Sequence, residues 1–164
     1  MRRTAVVYAA LCAILLVSPA GAQTGAPLAG PPDKTVKLVV ATAERFGRYI
    51  TDADGHAVYI FNKDAKNQSR CEGPCLKAWP PVRSVAEPQA GEGVDGKKLA
   101  TVKRADGAPQ VTYNGRPLYY YELDKGTKAT SGQDAFSYDG DWYLISPSGE
   151  PIKAKRPGEI PQER

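Results

Sequence analysis

Two segments of this chain, 54–64 (DGHAVYIFNKD) and 114–124 (NGRPLYYYELD), follow one pattern sixty positions apart. Each runs turn residue, Gly, two residues, an apolar residue, Tyr, any residue, an aromatic, two residues, Asp. A Trp follows 15 residues after the first Asp and 18 after the second, at Trp79 and Trp142. A Gly turn leading into alternating aromatics is a hairpin signal. Its duplication predicts two copies of one β-unit within a shared fold.

The remaining β signals agree. Runs at 36–42, 48–52, 57–61, 99–104, 110–113, 117–122 and 141–146 are rich in β-branched and aromatic residues. Between them stand DADG, ADGAP, NG, YDGD and PSGE, where Gly or Asn is expected to supply positive φ. Asn114-Gly115 is the strongest of these turns, and the first copy has one more turn residue. With 16 Gly and 14 Pro there is little room for long helices. The one helical candidate is a turn or two around Pro74 to Ala78, stopped by Pro80-Pro81. The fold expected is all-β: two pseudo-repeated antiparallel hairpin units, about 48–82 and 110–146, packed into one small sandwich or barrel-like domain over an aromatic core.

The ends read differently. Arg2 and Arg3, an apolar stretch over 4–18 and Ala20-Gly21-Ala22 form the three parts of a secretory signal peptide, 1–22. Leu11 precedes Cys12 where a lipobox needs a small residue, so no lipid anchor is expected. Residues 23–35 read as a flexible leader, 36–150 as the domain and 151–164 as a loose tail. The processed chain, 23–164, carries 20 basic residues (22 less Arg2 and Arg3) against 18 acidic ones. A net charge of about +2 gives no argument for nucleic acid. No later segment is apolar enough to span a membrane.

Alternation places Tyr59 with Phe61, and Tyr119 with Tyr121, on one face of their strands. Asp64 and Asp124 fall where each strand ends, positioned to accept bonds from turn N–H groups or from a phenol. The structural reading is that the aromatics, with Trp79 and Trp142, build the core between the units and each Asp pins an exit loop. The functional alternative is that the aromatics line a shared groove. Tyr120 lies on the opposite face, where the first copy has Ile60.

At these residues the chain resembles the bacterial secreted-repeat, or predicted lipoprotein, family named for a Yx(FWY)xxD motif. The motif reads Tyr59-Ile60-Phe61-Asn62-Lys63-Asp64 and Tyr119-Tyr120-Tyr121-Glu122-Leu123-Asp124. The segment CEGPCLKAWPPV, 71–82, resembles the family's Cys-x3-Cys followed by Trp-Pro-Pro. The resemblance covers about 48–146. It implies export and tandem repeats, and it brings no general activity.

Cys71 and Cys75 are the two cysteines of the processed chain. An even count in an exported protein favours a disulfide, here a local clamp on the CEGPC loop that seats Trp79. The alternative is a copper or thiol-redox accessory in which Cys71, Cys75 and the single His56 form a soft site. His56 is replaced by Arg116 in the second copy, so the repeat does not require it. No Cys-x-x-Cys-His run supports covalent haem, and one His with no Gly-x-Ser-x-Gly leaves few nucleophile–base pairs. Asp64 and Asp124 could be imagined as a glycosidase pair, but the turn role explains each alone. Lys97, Lys98, Lys103 and Arg104, interspersed with acids, read as a solvated face. The function expected is therefore a non-catalytic exported module, periplasmic or secreted, that binds a ligand or an envelope partner or has a structural role, with no cofactor. Where the copies differ is where a site is expected: His56 and the CEGPC loop in the first, Arg116, Tyr120 and the SGQDAFSYDG loop in the second.

Overall fold

The computed structural model describes residues 34–153. The expected signal peptide, the expected leader up to residue 33 and the part of the expected tail beyond 153 lie outside the described residues. The first copy begins with a hairpin of β1 (Lys37–Ala43) and β2 (Gly47–Asp52), in register from Leu38↔Asp52 to Ala43↔Gly47. It continues through β3 (Tyr59–Phe61) and the short helix α1 (Cys75–Ala78). Pro80 and Pro81 follow directly after Trp79 and stop the helix.

After a two-residue strand β4 (Gln89–Ala90) and a 3-10 turn at Gly96–Lys98, the second copy repeats the plan. Its first hairpin pairs β5 (Leu99–Lys103) with β6 (Pro109–Tyr113), which leads into β7 (Arg116–Pro117). The copy ends in β8 (Ala135–Ser137) and β9 (Gly140–Leu144). The strands form three sheets of three, in the orders β2-β1-β4, β3-β9-β8 and β5-β6-β7. Among the described residues all strand pairings are antiparallel except β1 with β4, and the sheets do not close into a barrel. The first copy lends β3 to the last strand of the second, so the copies interlock rather than sit side by side.

Tyr59 and Tyr119 mark the centre of this interlock. Each donates its backbone N–H to the other's carbonyl, at 2.8 and 2.9 Å. The equivalent residues of the two copies thus face each other across an approximate two-fold axis. Both sides of these strands are buried. Val58, Ile60 and Leu118 join an aliphatic cluster with Leu38, Ile50 and Val111. Tyr59, Phe61 and Tyr119 join an aromatic cluster with Trp79, Trp142 and the two cysteines.

Three details differ from the sequence reading. The run 117–122 is not a continuous strand: Tyr119 alone bridges Tyr59 on one side and Pro81 on the other. The opposing Pro80-Pro81 has no N–H to give, so the contact is carried by Val82 N–H to Leu118 O (2.9 Å), Tyr120 N–H to Pro80 O (2.8 Å) and Glu122 N–H to Ala78 O (2.9 Å) without a regular ladder. In the YDGD turn the positive φ falls on Tyr138 (56°) and Asp139 (60°), not on Gly140. These two residues close the β8–β9 hairpin between Ser137 and Gly140, and positive φ at both positions is the twist a two-residue turn requires. Gly140 is needed for space: a Cβ there would sit 2.5 Å from Phe61 Cε2. Finally, Arg104 is buried, not part of a solvated face. Its guanidinium donates to Gln110 Oε1 (2.5 Å), Ser69 Oγ (2.8 Å) and the carbonyl of Cys71 (2.7 Å), tying the second copy to the CEGPC loop.

Candidate functional site

The motif residues form two linked constructions. In the first, Tyr59 donates its hydroxyl to Asp124 Oδ2 at 2.6 Å, while Tyr119 Oη lies 2.7 Å from Asp64 Oδ2 and 2.8 Å from Ser69 Oγ. Each tyrosine is therefore held by the aspartate of the other copy. The remaining carboxylate oxygens accept backbone N–H bonds, Asp64 from Arg70 and Asp124 from Ser131, both at 2.7 Å. With both oxygens engaged, each Asp pins its exit loop and clamps the partner copy together. Burial, reinforced by the facing carboxylate, pushes both phenols well above their ordinary range. Burial also raises Asp64 to about 6, against the opposing pull of the Arg70 N–H and the Tyr119 hydroxyl.

In the second construction four rings stack: Phe61 on Trp142 (4.2 Å), Trp142 on Trp79 (3.9 Å, 1° between planes) and Trp79 on Tyr121 (4.2 Å). The rings alternate first copy, second copy, first, second. Ser137 serves both indoles, its Oγ accepting from Trp79 and its carbonyl from Trp142. These rings are buried, except Tyr121, which is half-buried.

Cys71 and Cys75 are joined in a disulfide with Cα atoms 5.4 Å apart, within the range such bridges span. Both are buried beside Trp79. The acidic and imidazole groups gathered around His56 are Asp52 and Asp54, not the cysteines. The soft Cys–Cys–His set is thus not assembled.

A cleft of about 470 Å³ opens between the two copies. Its walls are the first copy's turn, from Asp52 to Ala57, and the second copy's exit loop, from Tyr120 to Lys125. Val36, Pro80 and Ala57 supply apolar floor; Lys34, Lys37 and Arg83 add cations at the sides. A smaller cavity of about 210 Å³ lies at the related position, between the second copy's turn (Asn114 to Pro117) and the first copy's exit loop (Phe61 to Lys66). The backbone bonds that flank the two are equivalent: Lys128 N–H to Gly55 O at 2.9 Å, Asn67 N–H to Gly115 O at 2.7 Å. The architecture thus makes two clefts, and the residues that differ between copies make them unlike.

Within the larger cleft, Asp52 organises its neighbours. Its Oδ1 accepts the N–H groups of Asp54 (3.0 Å) and His56 (2.9 Å). Its Oδ2 accepts the Tyr120 hydroxyl (3.0 Å) and lies 3.2 Å from His56 Nδ1. The His56 ring meets Tyr120 edge-on, at 6.4 Å between centroids. His56 and Tyr120, singled out as copy-specific, are thus brought together, whereas Arg116 turns to the Gly149 carbonyl and Glu150. Sequence reasoning missed Asp52 and Asp54. The only signal was the Asp-x-Asp-x-His spacing of 52–56.

The profile of a family described as a secreted repeat of unknown function matches residues 41–83 and 100–145, more than half of the chain. The chain belongs to this family. The two matched stretches coincide with the two structural copies, each running from the first hairpin to just beyond its Trp. No curated protein and no solved structure matches the chain. Among the described residues no helix is long and apolar enough to cross a membrane.

Proposed function

We propose that this secreted repeat protein acts, after loss of residues 1–22, as a non-catalytic binding module in the periplasm or outside the cell, without a lipid anchor. Its binding site is the larger cleft, which receives a small ligand. One observation carries this reading: the shared architecture builds two related clefts, and the copy-specific residues Asp52, His56 and Tyr120 all converge in one of them. The motif residues Tyr59, Phe61, Asp64, Tyr119, Tyr121, Asp124, Trp79 and Trp142 hold the copies together, and the Cys71–Cys75 bridge clamps the loop beneath Trp79. An apolar floor with a few converging polar groups is the usual character of a small-ligand site.

Amide NMR spectra of the exported protein, titrated with a panel of amino acids, short peptides and sugars, test the proposal. Shifts clustered at 52–57 and 120–125, lost on Lys125→Glu, support it. Shifts confined to other surfaces, or none across the panel, remove it.

A further inference from the structure

We propose that the turn 52–56 is a site for a divalent first-row transition ion, zinc or copper(II), held by His56 Nδ1, Asp52 Oδ2 and a carboxylate oxygen of Asp54. The proposal rests on the larger cleft being the binding site and names what it takes first. The three side chains each offer a ligand atom within 4.8 Å of the others. His56 Nδ1 and Asp52 Oδ2 lie 3.2 Å apart. Two ligands bound at about 2.0–2.1 Å in tetrahedral geometry stand about 3.3 Å apart, so this pair needs almost no movement to share an ion. Asp52 is fixed in advance by two backbone N–H groups and by Tyr120, the kind of outer support that orients a ligating carboxylate. One imidazole with two carboxylates suits zinc or copper(II), and two carboxylates neutralise a dication.

Two further observations point the same way. Lys34 Nζ sits 2.5 Å from Asp54 Oδ2, so this carboxylate already pairs with a cation, in an exposed pair that a metal ion could displace. The side chains of Asp54 and His56 do no work that the fold requires: the second copy has Asn114 and Arg116 there, with Tyr113 in place of Asp52, and still turns. The cleft leaves the remaining coordination positions open to water or to a ligand donor, as in sites where three protein groups hold the ion.

Calorimetric titration of the exported protein in metal-free buffer, with zinc chloride and separately with copper sulfate, tests this. One equivalent should bind. His56→Ala and Asp54→Asn, both at solvent-facing side chains, should each weaken binding by about tenfold or more. Lys34→Met should tighten it, and Arg116→Ala should leave it unchanged. Circular dichroism verifies that each variant is folded. If neither ion binds, or if His56→Ala binds as the parent does, the proposal falls. If the panel of organic ligands still shifts the cleft while no ion binds, this proposal alone fails. If neither shifts it, the cleft reading fails with it.

Discussion

The hydroxyl of Tyr59 is bound 2.6 Å from Oδ2 of Asp124, an aspartate of the other repeat. The same bond in reverse joins Tyr119 to Asp64 at 2.7 Å. Each motif therefore carries a donor and an acceptor that its own copy does not use, and neither half satisfies its polar groups alone. Tyr59→Phe should cost about 1.5–3 kcal/mol, as for a hydrogen bond to a charged acceptor. Urea denaturation of a double-mutant cycle checks the pairing. Tyr59→Phe with Asp124→Ala should be less than additive, whereas Tyr59→Phe with Asp64→Ala should be nearly additive. Coupling within a copy instead of between copies would contradict the exchange.

Gly132 lies directly against the four-ring stack. A Cβ at Gly132 would lie 2.8 Å from Trp79 Cη2 and 3.0 Å from Tyr59 Cζ, and Trp79 is held between Trp142 and Tyr121. Gly132→Ala should therefore destabilise by about 1–3 kcal/mol despite adding one methyl group. Trp142→Ala removes the centre of the stack and should cost about 3–5 kcal/mol. Thermal unfolding measures both, and a Gly132→Ala variant as stable as the parent would show that the rings are loosely packed.

Much of this was legible in the sequence, for local reasons. Asn114-Gly115 turns with φ of 53° and 74°, as a two-residue hairpin turn requires. The duplicated motif announced two units, and Pro74 to Ala78 did form the short helix. The exchange of partners was not foreseen, yet geometry held a hint. Along an extended strand Tyr59 and Asp64 stand about 16 Å apart, beyond the reach of a bond within one copy. Arg104 was invisible for another reason. Its closest partners are a main-chain carbonyl, a Gln and a Ser, which leave no mark in a charge pattern, and the neighbouring Asp106, 3.6 Å away, is what a solvated face would also show. The meeting of Asp52, His56 and Tyr120 depends on how the second copy's exit loop lies on the first copy's turn, a long-range relation that spacing does not encode.

The Cys71–Cys75 bridge closes a loop of only four residues of separation. Chain-entropy arguments give such a short loop about 2 kcal/mol of stabilisation. The loop has a second tether in Arg104, which holds the Cys71 carbonyl from the other copy. Replacing both cysteines by Ser should thus lower stability by about 2 kcal/mol while the fold persists. Urea midpoints for oxidised, reduced and doubly substituted protein measure this. Unfolding on reduction alone would mean that the bridge, not the interlocked copies, holds the first repeat.

Asp64 gives the fold a pH dependence of unusual sign for a carboxylate. Burial is the main cause of its rise to about 6 from an unperturbed 3.8, so the folded state binds its proton more tightly than the unfolded chain does. The stabilisation from this group is complete below about pH 4 and is lost as pH rises to about 6, a change of at most about 3 kcal/mol. A carboxylate held only by salt bridges would behave in the opposite way. Asp64→Asn keeps a polar side chain that does not titrate, so the fall in stability between pH 4 and 6 should flatten in that variant. Urea midpoints measured across this range, with the Asp64 carboxyl followed by carbon NMR, report both quantities. A carboxyl that titrates near 4 would mean that the Arg70 N–H, the Tyr119 hydroxyl and Arg104 offset the burial in full, and the predicted pH dependence would be overturned.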